Sequence, residues 1–170
     1  MDKVILLQQG SVRAWRHCLA LLFLTWLCCC PASATAAEMV SISSDSARML
    51  SQAKANAEVQ WELGEGFPLR VLQKQGDWLK VKDFENDSGW VRAKQTSKKR
   101  FVIVSANRDG KDKVNIRQGA GTSHGVVARA SYGVVLEVLE TQKNWVRVRH
   151  EKGVSGWINR LYVWGTGNEK

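Results

Sequence analysis

The chain reads onto itself at one fixed offset of 67 residues. Gly66-Phe67-Pro68-Leu69-Arg70-Val71-Leu72, Trp78-Leu79-Lys80-Val81 and Gly89-Trp90-Val91 come first. Gly133-Val134-Val135-Leu136-Glu137-Val138-Leu139, Trp145-Val146-Arg147-Val148 and Gly156-Trp157-Ile158 follow, and no gap is needed from Val59 or Val126 onward. A repeat this short cannot bury a large core, so the chain is expected to fold as tandem copies of one small unit. What repeats is scaffold and aromatic surface. It contains no reactive group, which argues for a non-enzyme.

The unit reads as β. Met39-Val40-Ser41-Ile42 and Phe101-Val102-Ile103-Val104 open the copies as short strands. Ala47-Arg48-Met49-Leu50 and Val114-Asn115-Ile116-Arg117 come next, and Val59-Gln60-Trp61-Glu62-Leu63 alternates as a strand does. Leu79 and Val81 face one way while Trp78, Lys80 and Lys82 face the other. Val146 and Val148 oppose Trp145, Arg147 and Arg149 in the same manner. Gly64-Glu65-Gly66 and Gln75-Gly76-Asp77 are turns, the second matched by Lys143-Asn144. Residues 51–58, rich in Ala, Lys and Asn, could form a helical turn, whereas the glycines of 118–125 make that loop irregular. The second copy carries a polar loop over 105–113 that is five residues longer than its counterpart. Short, closely spaced strands with turn signals predict an all-β chain of small barrels. Without disulfides, barrels of this size are expected to share an interface.

Residues 1–37 read as a secretory signal peptide. Lys3, Arg13 and Arg16 form the basic end, and the apolar stretch from Leu19 to Cys30 is 12 residues, short for a spanning helix. Ala34 and Ala36 then supply a small-residue cleavage site. A retained anchor and a lipidated Cys30 are the alternatives, although Cys29 stands where Gly or Ala normally precedes a lipidated cysteine. All 4 cysteines lie in this leader, so the mature chain is expected to lack disulfides, thiol nucleophiles and thiolate metal sites. The expected location is the periplasm, with no membrane span after cleavage.

Charge is uneven. Residues 38–91 carry six basic and nine acidic side chains, 92–100 five basic and no acidic, and 101–170 eleven and six. The basic half suits an anionic partner, or serves solubility alone. Export argues against nucleic acid, and Lys98-Lys99-Arg100 then reads as a solvated linker.

Alternation puts Trp145, Arg147 and Arg149 on one strand face. An aromatic ring beside guanidinium groups can pack on the apolar side of a sugar and fork onto a carboxylate. Trp78, Lys80 and Lys82 copy this with less directional donors. The competing reading is that Trp78 and Trp145 plug their barrels. Trp90 and Trp157 read as structural, each after a Gly that permits close backbone approach. Trp61 and Trp164 have no counterpart in the other copy, which makes them candidates for an interface or a ligand.

No catalytic signature is present. His124 and His150 are the only histidines after the leader, without a third ligand or HExxH spacing, so no metal is expected. There is no P-loop or dinucleotide fingerprint, and no cofactor is expected. Gly121-Thr122-Ser123-His124-Gly125 spells G-x-S-x-G, but within the irregular loop 118–125 and not at the strand-to-helix turn a nucleophile elbow needs.

Val114-Asn115-Ile116-Arg117-Gln118-Gly119-Ala120-Gly121-Thr122, Asn144-Trp145-Val146-Arg147-Val148 and Gly156-Trp157-Ile158 resemble the bacterial SH3-like domain. Glu62 to Val71, Gly76 to Val81 and the ending Leu161-Tyr162-Val163-Trp164-Gly165 are similar to its variant in small exported tandem proteins of Gram-negative bacteria. The resemblance covers residues 39–165 and implies two five- to seven-stranded barrels, one over 38–91 and one over 101–165. Residues 92–100 would link them and 166–170 form a tail. It implies a module that binds peptidoglycan or protein partners, such as an envelope protein, without catalysis; a monomer is expected. Arg117 joins the candidate binding residues on this ground, and the first copy, with Arg48-Met49-Leu50-Ser51, departs from the family pattern there.

Overall fold

Alternating apolar residues separated by glycine-bearing turns leave the chain one economical solution, a tightly curled antiparallel sheet with its apolar face inside. The computed structural model describes residues 37–167, so the leader expected over 1–37 lies almost wholly outside the described residues. Seven strands form the first sheet: β1 (Met39–Ile42), β2 (Ser46–Leu50), β3 (Val59–Gly64), β4 (Pro68–Gln75), β5 (Trp78–Lys82), β6 (Ser88–Arg92) and β7 (Thr96–Ser97). Seven more form the second: β8 (Phe101–Val104), β9 (Val114–Arg117), β10 (Val126–Ala130), β11 (Val135–Gln142), β12 (Trp145–Arg149), β13 (Ser155–Asn159) and β14 (Val163–Trp164). The strand orders are β3-β2-β6-β5-β4-β1-β7 and β10-β9-β13-β12-β11-β8-β14, the same topology twice.

The 67-residue offset carries over to fine detail. A register shift between Val71 and Gln73 is matched by one between Val138 and Glu140. The turn glycines Gly66 and Gly133 share a φ of 79°. A single 3-10 turn, Ala93–Gln95 in one barrel and Arg160–Tyr162 in the other, leads into the last strand of each. Thr96 and Ser97 pair with Ile42 and Ser41, so the chain stays in the first sheet until Ser97.

Each barrel has its own core. Ile42, Met49, Leu69, Val81 and Val91 fill the first; Val104, Ile116, Leu136, Val148 and Ile158 occupy the equivalent places in the second. Leu79 and Val81 are buried while Lys80 and Lys82 are not, as their alternation requires. Gly89 and Gly156 lie where strands cross most closely. A Cβ on Gly156 would sit 2.7 Å from the Arg117 carbonyl oxygen, and one on Gly89 2.9 Å from that of Leu50. Residues 51–58 do not form the helical turn expected of them. Ser51 N–H donates to Glu58 O and Ala57 N–H to Lys54 O, which closes the segment into turns between two paired strands.

The barrels lie within one compact unit and touch through named side chains. The ring of Tyr132 packs 5.4 Å from Phe84, which in turn meets Phe67 edge-on at 6.0 Å. Gly66 approaches so near that a Cβ there would stand 2.8 Å from the Phe101 ring. The Arg70 guanidinium lies 5.9 Å over the Trp164 ring.

Candidate functional site

Cross-strand register decides what stands beside each tryptophan. Trp78 faces Arg92 across β5 and β6; Trp145 faces Asn159 across β12 and β13. The consequence is opposite in the two barrels. Arg92 reaches over the Trp78 ring at 4.2 Å, close enough for a cation–π contact, and Trp78 is only 9% exposed. Asn159 is too short to cover its neighbour. Trp145 remains half-buried and lines a groove of about 250 Å³.

Arg117 and Asn115 at the end of β9 form one side of this groove, Asn107 and Lys113 from the long loop another, and Tyr162 and Asn159 the third. Arg117 Nη1 donates to the His124 carbonyl at 2.8 Å, which holds the guanidinium in place. Asn159 Oδ1 accepts the Leu161 N–H at 3.0 Å and Asn115 Oδ1 accepts from Arg129 Nε at 3.3 Å. Each amide oxygen is thereby engaged in one hydrogen bond, and each amide keeps its NH₂ group as a donor. With Lys113 and Arg117 beside them, and no carboxylate among the lining residues, the groove is rich in donors and positive in charge. Such a lining suits a ligand rich in acceptors, above all a carboxylate, next to an apolar surface that can lie on Trp145.

The sequence-derived candidates separate. Trp145 and Arg117 share the groove. Arg147 does project from the same face of β12, but it lies opposite Trp157 and Glu140, with an exposed 3.9 Å contact to Glu140. Arg149 is about 13 Å along the strand from Trp145, at some 3.3 Å per residue, and faces a different cavity. There it forks onto Glu137 Oε2 through Nε at 3.2 Å and Nη2 at 2.8 Å. That cavity, of about 490 Å³, lies between the barrels and is lined by Glu65, Lys99, Phe101, Glu137, Arg149 and Glu151 among others. Lys99 also meets Glu137, at 3.2 Å. These partners, Arg149 first, hold the Glu137 carboxyl below its ordinary value of 4.5. Trp78 is covered by Arg92, Trp61 is 50% exposed on β3, and Trp164 belongs to the contact between barrels.

Sequence reasoning missed Asn107, Lys113, Asn115, Asn159 and Tyr162. Comparing residues at the 67-residue offset finds two of the decisive differences, Arg92 against Asn159 and Leu50 against Arg117. Leu50 is buried at 4%, so the first barrel lacks the basic side of the groove as well as its opening.

Seven-stranded barrels repeated in tandem, each with this strand order, define a class of small β-barrel modules. Residues 43–98 and 110–165 each match the family model for the bacterial SH3 domain, and the chain belongs to that family. It is also similar to a protein of Bacillus subtilis (strain 168) named "Putative N-acetylmuramoyl-L-alanine amidase YrvJ", at 24% identity over 115 residues, 62% of this chain. The match spans only 21% of that relative's length. Among solved structures, an NlpC/P60 family protein from Bacillus cereus is similar at 16% identity and a TM-score of 0.35, over 75% of this chain and 56% of that one. NlpC2 from Trichomonas vaginalis is similar at 7% identity and a TM-score of 0.34, over 75% and 48%.

Proposed function

We propose that the protein is a non-catalytic binding module that acts outside the cytoplasm and recognises peptidoglycan through the groove of its second barrel. One observation carries this reading. The groove beside Trp145 is open and lined with donors, whereas its counterpart is shut by Arg92 on Trp78. Peptidoglycan combines N-acetyl sugars with peptides that end in carboxylates. The sugar or an acetyl group lies on the Trp145 ring, and a carboxylate meets Arg117 and Lys113. The name of the Bacillus relative, an amidase of N-acetylmuramoyl-L-alanine, supports a wall polymer as the ligand.

Co-sedimentation of the purified protein with isolated sacculi tests this. The protein should pellet at low salt and less at high salt, because Lys113 and Arg117 act through charge. Trp145→Ala should weaken binding by about 2 kcal/mol, some thirty-fold, as expected of a central aromatic anchor. Arg147→Ala, outside the groove, should matter far less. Protein that stays in the supernatant under both salt conditions would refute the reading.

A second reading, an adaptor in an envelope complex, is favoured by Trp61. This ring is 50% exposed beside Val59, at 41%, on a strand at the end of its sheet. An aromatic-centred protein contact would resist salt and fail with Trp61→Ala.

A further inference from the structure

In the first barrel Arg92 covers Trp78, the counterpart of Trp145, yet that barrel makes up half of the folded chain. Its β5–β6 turn shows what it contributes. Asp83 is 6% exposed, and its Oδ1 accepts the N–H groups of both Glu85 and Asp87 at 2.9 Å. Asp83 N–H donates to Asp87 O, and Asn86 takes a left-handed φ of 76°. The turn is thereby closed on itself and presents Phe84 and Glu85 outward to the second barrel. The equivalent turn of the second barrel keeps the form but not the message: His150 Nδ1 accepts from Lys152 N–H, and Glu151 and Lys152 stand where Phe84 and Glu85 do.

Glu85 meets the second barrel twice. Its Oε1 accepts the Tyr132 hydroxyl at 2.6 Å and pairs with Arg108 Nη2 at 3.0 Å. Arg108 belongs to the long loop over 105–113, which the first barrel lacks. On either side of it in that loop, Asn107 and Lys113 line the Trp145 groove. Asn107 has a φ of 61° and its carbonyl accepts Gly110 N–H, while Ser105 N–H donates to Tyr162 O. One end of the loop is thus fixed to its own barrel, and its outer part is held by Glu85.

We propose that Glu85 of the first barrel positions the loop that walls the groove of the second, so that the closed barrel serves as a brace for the binding barrel. This rests on the groove being the binding site, and it adds a positioning residue that touches no ligand. A loop held in advance loses less freedom when ligand arrives. The brace should therefore appear in affinity as well as in loop motion.

The test uses the whole protein and two readouts. Hydrogen exchange over residues 105–113 should quicken in Glu85→Gln and in Arg108→Ala, while core amides of β12 and β13 stay protected. Binding to isolated sacculi should weaken by roughly two- to five-fold in each, the scale of one exposed ion pair. The double variant should be no weaker than either single one, because both remove the same contact. Tyr132→Phe, which keeps Arg108 on Glu85, should leave loop exchange closer to that of the parent. Unchanged loop exchange in Glu85→Gln overturns the proposal whether or not sacculi bind. Quickened exchange with unchanged affinity overturns the coupling to the groove. If the parent protein fails to bind sacculi while exchange quickens as described, the functional reading falls and the brace stands.

Discussion

At the scale of single residues, a few buried or paired carboxylates organise the polar surface. Asp83 is buried at a turn, where desolvation raises its carboxyl above the ordinary range against two N–H bonds that act to lower it. Those bonds make its oxygen hard to replace. Asp83→Ala should cost about 1–2 kcal/mol, the scale of one or two lost hydrogen bonds, measurable by urea denaturation, and should also free Glu85 from its position. Glu137 behaves in the opposite sense. Arg149 and Lys99 lower its carboxyl, so its stabilising effect is present above the ordinary value of 4.5 and is lost as pH falls through the lower folded value. The melting temperature of Glu137→Gln should therefore fall less than that of the parent protein as pH drops below 4.5. Tyr132 is pushed up to about 12, first by burial and then by its hydrogen bond to Glu85. The unfolded chain ionises this phenol near 10 while the folded one holds its proton, so stability falls as pH rises from 10 to about 12. Tyr132→Phe should remove that part of the alkaline loss.

At the scale of elements, the repeat translated almost directly into the sheets. The gapless offset from Val59 implied one topology twice, and the alternation of Leu79 and Val81 against Trp78 and Lys80 named the inner face. Gly156 illustrates a reading that came from position alone: a glycine before a tryptophan, where the structure brings a backbone oxygen within 2.7 Å of a Cβ. Gly156→Ala should destabilise the second barrel by about 1–3 kcal/mol, as overpacking does, and should disturb Arg117, whose carbonyl must move. What the sequence concealed was pairing between strands. Asn159 is 14 residues from Trp145, and only the register of β12 on β13 brings them together. The helical turn expected over 51–58 failed for a similar reason. Paired strands at both ends, joined by the bond from Ser51 to Glu58, outweigh the helix preference of Ala and Lys. Alternation alone also suggested that Trp145, Arg147 and Arg149 act together. It fixes a shared face but not a shared site, because the strand advances past one cavity and into the next.

At the scale of the molecule, the proposed function divides the work between two barrels with nearly the same fold. Each small core is marginal alone, and the contact through Phe84, Tyr132, Phe101 and Gly66 joins them. Calorimetry should show one cooperative transition for the parent protein. Gly66→Ala, which forces a Cβ into the Phe101 ring at a φ of 79°, should lower the midpoint or split the transition in two. Under that proposal the divergence that matters for binding is confined to a few positions. Asn159 replaces Arg92, Arg117 replaces Leu50, and a longer loop adds Asn107 and Lys113. The most direct measurement is sacculus binding by Asn159→Arg, which installs in the second barrel the side chain that shuts the first. An open Trp145 groove as the binding site predicts a stable, folded variant that no longer pellets with sacculi. A folded Asn159→Arg variant that binds as the parent does would contradict it.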